Sequence, residues 1–395
     1  MAMTFAKRME EMKASEIREL LKLTEKPEVI SFAGGVPAPE LFPVEEMKAV
    51  SVKVLEEAGR QALQYAPTEG FVPLRIKIAE RLNNKYKTNL TFDNILITSG
   101  SQQGLDFSGK IFLNEGDAVL CESPTYLAAI SAFKAYMPRF IEVPTDNGGM
   151  ILEELEKILA SNDRVKLIYT IPDFQNPTGL TWSLERRAGM MEILKKYKIP
   201  LLEDNPYGEL RFEGEMLPAI KSFDDEGLVI YLGTFSKTFC PGLRIGWVAA
   251  EQKILEKYII VKQGADLHTG SLAQREIEKY MELYDLDGNI EKIRKVYKKR
   301  RDVMLAAMEK EFPEGVKFTY PLGGLFTWVE LPCHMDAREL LVKSLENNVA
   351  FVPGGSFFPN GGRENTLRLN YSNMPEERIV EGIRRLGKVI REFMN

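Results

Sequence analysis

From Asn94 to Ala250 the chain alternates short, β-branched apolar runs with stretches of helical period. The runs are "NILIT", "AVLCE", "VKLIYTI", "IPLLED", "LVIYLG" and "WVAA", and helices are predicted from Ser101, Thr125, Ser183 and Gln252. Runs this short and this continuously apolar read as strands buried on both faces. Strands that recur with a helix in between read as a mainly parallel sheet, because a parallel pair needs a crossover connection. The expectation is therefore an α/β fold with helices on both faces of the sheet. Such sheets bind ligands in the crevice at the carboxyl ends of their strands, so the chemistry should follow each run.

The rhythm changes near Gly288. A long helix over Ile290 to Lys310 leads to "VKFTY", "LFTWVEL", a helix from Met335, "VAFVP", "TLRLNY" and a closing helix, which reads as a smaller α+β domain. A chain of 395 residues suits two lobes better than one simple core. The division predicted is an N-terminal arm and small-domain segment over 1–45, a large domain over 46–287 and a C-terminal small domain over 288–395. The first 40 residues, with "SFAGGVPAPELFP", read as an arm rather than a core element. The basic run "KIRKVYKKRR" (Lys292 to Arg301) is expected to be a solvated face, with Ile293, Val296, Tyr297, Met304 and Met308 on the other side. "DLDGN" (Asp285 to Asn289) lacks the spacing and closing glutamate of a calcium loop and reads as a turn.

Composition excludes several function classes. A net charge of −5 predicts no general affinity for nucleic acid or an anionic membrane. Three irregularly spaced cysteines form neither a disulfide framework nor a zinc site, and two histidines disfavour histidine-rich metal sites and histidine-centred triads. No apolar run is long enough to span a bilayer, and the N-terminus has no signal-peptide core, so a cytoplasmic protein is expected.

The strand ends carry the chemistry. "SGSQQG" (Ser99 to Gly104) follows the first run and opens a helix, where glycine and free amides favour a phosphate, although a plain turn capped by Ser101 has the same look. A dinucleotide fold competes here, since Glu122 ends the next strand. The middle glycine of that fingerprint is missing. "PDFQNPTG" is a turn signal that also offers the neutral amide of Asn176. "EDNPYGEL" ends an apolar strand on Asp204, a carboxylate that is costly there unless it meets a positive group. "TFSKTFCPGLRIGW" places Lys237 between hydroxyls, with Arg244 seven residues on and carboxylates scarce. A phosphate cradle, an amide, a buried acid and an unpaired lysine together suit one small molecule, pyridoxal 5′-phosphate. It has a phosphate to anchor, a ring nitrogen that must stay protonated, a phenolic oxygen and an aldehyde that condenses with a lysine.

With "QNPTG", "EDNPYGEL", "TFSK", "PGLRIGW" and "TLRLNYS" in this order, the chain resembles the class I/II aminotransferases of the aspartate aminotransferase fold. "SFAGGVPAPELFP", "LQYAPTEG", "GSQQGLD", "KQGADLHT" and "NVAFVPGGSFF" bring it nearest to the group of α-aminoadipate aminotransferase and kynurenine aminotransferase II. The resemblance covers essentially the whole chain. It implies the pyridoxal-phosphate-dependent transferase fold type I: a large domain with a mainly parallel seven-stranded sheet flanked by helices, plus a smaller α+β domain. It also implies roles. Lys237 would hold the cofactor and shuttle a proton, Asp204 would pair with the ring nitrogen, and Asn176 and Tyr207 would bond the phenolic oxygen. Tyr126 would stack on the ring, while Ser101, Gln102, Thr234, Ser236 and Arg244 would hold the phosphate. Arg368 would grip the substrate's α-carboxylate, Gly35 would leave room beside the cofactor, and Arg18 would meet the distal carboxylate of acidic substrates. Tyr65 would reach the phosphate of a neighbouring subunit, which implies a homodimer with shared active sites. Thr234 stands where serine is common, and the lysine-to-arginine spacing is one residue shorter than in aspartate aminotransferase.

The activity so implied moves an amino group from an amino acid (2-aminoadipate, glutamate, aromatic or large apolar) to a 2-oxo acid such as 2-oxoglutarate. A β-lyase or decarboxylase on the same fold shares the cofactor residues. An aminotransferase-like transcription regulator is a third reading, against which "SFAGGVPAPELFP" begins at Ser31 and leaves little room for a winged helix.

Overall fold

The computed structural model describes residues 3–12 and 27–394; Arg18 lies outside the described residues. Part of the stretch expected to be an arm belongs to the core. Strand β1 (Ile30–Ser31) pairs in parallel with Val349–Ala350, and Ile30, Phe32, Ala33 and Ala38 are buried. The backbone N–H of Ala38 donates to the Tyr297 hydroxyl at 2.9 Å.

The principal sheet contains β2 (Ile95–Thr98), β3 (Ala118–Ser123), β4 (Arg139–Asp146), β5 (Gly149–Met150), β6 (Val165–Thr170), β7 (Leu201–Asp204), β8 (Val229–Thr234) and β9 (Gly246–Ala249). Their spatial order is β2-β9-β8-β7-β6-β3-β4-β5. From β8 across to β4 every pairing is parallel, as the buried runs require. Strand β9 runs antiparallel between β2 and β8, which makes β2 parallel to β8 and brings Thr98, Ser123, Thr170, Asp204 and Thr234 to one edge. The eighth strand, β5, adds a two-residue antiparallel hairpin to the seven expected.

Alternate residues of the central strands face opposite helical layers. On β6, Leu167 and Tyr169 enter one buried cluster with Leu105, Phe133 and Leu202, whereas Ile168 enters another with Met190, Leu194 and Leu201. Each such side chain contributes about 1.5–3 kcal/mol on burial. The clusters set the sheet rigidly, and the loops at its edge inherit that rigidity.

The smaller lobe packs β10 (Lys317–Phe318), β11 (Phe326–Glu330), β13 (Val352–Pro353) and β14 (Thr366–Asn370) against helices, with β12 (Val349–Ala350) paired to β1. Its closing helix, Glu376–Met394, buries Ile379, Ile383, Leu386 and Ile390, the spacing of one helical face. Two expectations need correction here. The long helix begins at Leu286, and Asp285 is its N-cap, accepting from the Gly288 N–H at 2.9 Å; "DLDGN" is a helix start. Nor is the basic run wholly solvated, because Arg300 and Arg301 are buried. Arg300 pairs with Glu40 at 2.6 Å, while Arg301 pairs with Glu213 and lies 4.6 Å from the centre of the Tyr320 ring. Among the described residues no helix is long and apolar enough to cross a membrane.

Candidate active site

Nine residues singled out from the sequence line one cavity of about 150 Å³ at the strand-end edge: Ser101, Gln102, Tyr126, Asp204, Tyr207, Thr234, Ser236, Lys237 and Arg244. Each follows or ends a strand that the helical layers hold in register. The turn after β8 brings Lys237 inward, where its Nζ donates to the Gly35 carbonyl at 2.8 Å. Among the described residues no carboxylate pairs with it. Burial, then the cations of Arg368 and Arg244, pull its ammonium down from 10.5 to about 8. The neutral amine, the form a nucleophile requires, is therefore far more populated near neutrality than in an ordinary lysine.

Hydroxyls and amides gather at one end. Ser236 N–H donates to Thr234 Oγ1 at 3.1 Å, the two hydroxyl oxygens lie 2.9 Å apart, and Arg244 Nη1 reaches Ser236 Oγ at 3.4 Å. Ser101 begins the helix Ser101–Phe112, and Ser101 and Gln102, whose N–H groups are free in its first turn, line the same cavity. Gly100 has φ +75°, and a Cβ there would meet Arg244 Nη2 at 2.4 Å; glycine is the residue that admits both the conformation and the guanidinium. A Cβ at Gly246 would stand 2.7 Å from the Gly100 and Ser101 backbone, so β9 also needs glycine beside this cradle.

Asp204 closes the opposite end. Its side chain is buried, its Oδ2 accepts from the Tyr169 hydroxyl at 3.0 Å, and among the described residues its Oδ1 has no hydrogen-bond partner. Burial pushes the carboxyl up to about 7, opposed by the Tyr169 hydrogen bond. A cation set against Oδ1 would restore the charged form.

Asn176 Nδ2 donates to the Tyr207 hydroxyl at 3.3 Å, while its Oδ1 accepts from Arg368 Nη1 at 2.8 Å. Arg368 Nη2 donates to the Ala33 carbonyl at 2.7 Å, and among the described residues its Nε has no partner. The guanidinium lies 4.1 Å from the Phe326 ring centre and 5.1 Å from that of Phe357; burial pulls it down to about 10. Burial likewise pushes the Tyr126 phenol up to about 12 and raises that of Tyr207, so both stay neutral. Gly35 borders Phe326, with room for a Cβ only at 3.1 Å from the ring.

Two residues are not brought together with these. Tyr65 is 79% exposed, stacks edge-on to His268 at 5.8 Å and is not among the residues lining this chain's own cavity. Arg18 lies outside the described residues. Sequence reasoning missed Ile171, Pro206 and Pro241, which line the cavity without chemistry of their own. It also missed the supports beneath. Asp173 forks onto the buried Arg187 at 2.7 and 3.1 Å and accepts from Asn205 at 3.1 Å, tying the "PDFQNPTG" and "EDNPYGEL" loops to the helix Leu184–Tyr197. Glu122 accepts from the Ile171 N–H at 3.0 Å and the Trp182 indole at 2.8 Å; it braces a loop and does not await a ribose.

Known proteins agree with this geometry. The family model "Aminotransferase class I and II" matches residues 27–386. The chain is 50% identical over 387 residues to aromatic-amino-acid aminotransferase 1 of Thermococcus litoralis, covering 97% of this chain and 93% of that protein. It is 45% identical over 393 residues to 2-aminoadipate transaminase of Thermus thermophilus, covering 99% and 97%. The crystal structure of Pyrococcus horikoshii kynurenine aminotransferase in complex with PMP superimposes with a TM-score of 0.95 at 45% identity, covering 99% of this chain and 98% of that one. The cofactor is pyridoxal phosphate, and the residues present fit it. An orphaned acid oxygen, an amine free of carboxylates and a hydroxyl-and-amide cradle with an arginine share one cavity. The chain thus belongs to the aminotransferase class I and II family, as a pyridoxal-phosphate-dependent transaminase.

Proposed function

We propose that Lys237 is the residue that holds the cofactor and carries the proton to and from the substrate's Cα. The observation that carries this reading is the half-buried lysine whose amine bonds to a backbone carbonyl, in the same cavity as the orphaned Asp204 Oδ1. When bound, pyridoxal phosphate supplies an aldehyde for the amino group and a ring that takes up the electron pair left at Cα. Asp204 holds the ring nitrogen's proton, and Asn176 and Tyr207 serve the phenolic oxygen as neutral donors. Tyr126 backs the ring. Ser101, Gln102, Thr234, Ser236 and Arg244 hold the phosphate with hydroxyls, amides and one fixed positive charge. Arg368 keeps an unpartnered Nε–H for the α-carboxylate, and its planar fork, fixed between two aromatic rings, orients the substrate. We place the enzyme in the cytoplasm as a homodimer, with Tyr65 serving the partner's site; the free state of Cys121, Cys240 and Cys333 supports a reducing compartment.

For substrates, the similarity to aromatic-amino-acid and 2-aminoadipate aminotransferases supports acceptance of 2-aminoadipate, glutamate and aromatic or large apolar amino acids. A panel of amino donors against 2-oxoglutarate tests this. Each accepted donor, given alone, should convert the holoenzyme's visible absorbance fully, and 2-oxoglutarate should restore it. An enzyme that releases ammonia or carbon dioxide without that reversible change would refute the reading. Arg18→Ala should weaken acidic donors by about 1.5–3 kcal/mol in kcat/KM while sparing leucine and phenylalanine. Equal losses for both classes would show that Arg18 does not select the side chain.

A further inference from the structure

The two oxygens of Asp204 are in unequal surroundings. Among the described residues Oδ1 has no donor, whereas Oδ2 receives the Tyr169 hydroxyl at 3.0 Å. Tyr169 is fully buried on β6, beside Asp204's own strand, and its ring is held edge-on by Phe133 at 5.8 Å. A phenol in that packing fits as an apolar side chain would, so the hydroxyl marks a specific use. The other titratable groups around the carboxyl are the phenols of Tyr126 and Tyr207 and, across the cavity, Lys237; the cation of Arg368 acts on all three of them. Of all these, Tyr169 is the one that donates to the carboxylate.

We propose that Tyr169 is the positioning residue for Asp204: its hydroxyl fixes Oδ2 and favours the charged carboxylate, so that Oδ1 is the oxygen offered to the cofactor's ring nitrogen. This rests on the reading of Asp204 as that nitrogen's partner. Donation to an anion stabilises it, so loss of the donor should make the carboxyl bind its own proton more tightly. Burial and the neighbouring Asp204 charge raise the Tyr169 phenol well above its ordinary range, which keeps it a donor throughout the working pH range.

The test is Tyr169→Phe, with pyridoxal phosphate affinity of the cofactor-free protein measured between about pH 5 and about pH 9. Measured in the Lys237→Ala background, which removes the amine that titrates near 8, its acid limb reports the Asp204 carboxyl. The midpoint should rise by about one pH unit, and kcat of the holoenzyme should fall about tenfold with KM within about twofold. Phe133→Leu, which loosens the same packing without touching Asp204, should lower the melting temperature and leave the midpoint in place. A Tyr169→Phe profile superimposable on wild type, or an equal shift in Phe133→Leu, overturns the proposal. Should Tyr169→Phe not fold, 3-fluorotyrosine at position 169, a stronger donor of the same shape, must move the midpoint down; no movement overturns the proposal as well. Asp204→Asn separates the two levels. If it keeps the wild-type acid limb, the reading of Asp204 itself falls; if it alone abolishes the limb and Tyr169→Phe changes nothing, only Tyr169's role falls.

Discussion

At the scale of single residues, the amine of Lys237 shows how surroundings set chemistry. An exposed lysine is almost fully protonated at neutral pH and is a poor nucleophile. Here burial and two guanidinium groups lower it to about 8. The sign follows directly: the neutral form grows as pH rises through that value and is suppressed below it. Covalent uptake of pyridoxal phosphate by the cofactor-free protein, followed by visible absorbance, should therefore accelerate with pH and level off a little above 8. Arg368→Met removes one of the cations that depress the amine and should move the profile to higher pH. A wild-type profile still rising toward 10.5, the value of an ordinary lysine, would contradict this account. Lys237→Ala should bind cofactor without a covalent link and lose turnover by several orders of magnitude. The sequence made this residue legible because the scarcity of carboxylates around "TFSK" is a local fact. The Tyr169 contact was not legible, since a tyrosine inside "VKLIYTI" reads as one more apolar strand residue.

At the scale of elements, strands were readable wherever burial made them uniformly apolar, and the active loops were readable because they follow those strands. Strand β5 was invisible, being two residues of a hairpin. The helix start at Asp285 was mistaken for a turn because aspartate caps helices and opens turns by the same side-chain bond to a backbone N–H. Long-range supports were unreadable for a different reason: Asp173 and Arg187 meet only after the helix Leu184–Tyr197 folds back on the sheet. That pair gives a test at this scale. Arg187 has no exposed surface, so Asp173→Ala strands a buried guanidinium and should destabilise the cofactor-free protein by about 3–5 kcal/mol in urea unfolding. It should also loosen the loops that hold Asn176 and Tyr207, weakening cofactor affinity. Replacing both partners, Asp173→Leu with Arg187→Met, should recover part of the stability, because the fully buried Arg187 charge is gone, while Arg211, 3.3 Å from Asp173, still loses its partner and keeps the recovery partial. A double variant less stable than Asp173→Ala would show that Arg187's bonds to the Pro172 and Pro218 carbonyls outweigh its charge pairing.

At the scale of the whole molecule, one chain leaves a tyrosine and several large apolar side chains in solvent. Tyr65 is 79% exposed, with Leu63 at 74% beside it, and Val44, Val52 and Leu55 project from the helix Val44–Ala62 that leads to them. Leu267 and Ile260 are exposed on the segment that carries His268, against which Tyr65 stacks. Exposed apolar side chains of this size are what an interface would cover. They support a homodimer in which Tyr65 leaves its own subunit's cavity to serve its partner's. Such sharing makes a specific prediction. In a mixed dimer of Tyr65→Ala and Lys237→Ala chains, one site combines intact Lys237 with intact Tyr65 from the other chain, and the second site lacks both. Mixing the two inactive or impaired proteins under exchange should therefore restore activity toward about one quarter of the wild-type value, since half the dimers are mixed and each has one intact site. If Tyr65 instead served its own subunit, every Tyr65→Ala chain would stay impaired and mixing would restore nothing. If it were only a packing residue at the interface, Tyr65→Ala would lower the dimer's melting temperature without changing cofactor affinity per site. Sedimentation at the assay concentration, paired with the mixing experiment, separates these outcomes, and a fully active monomer would dismiss the shared site altogether.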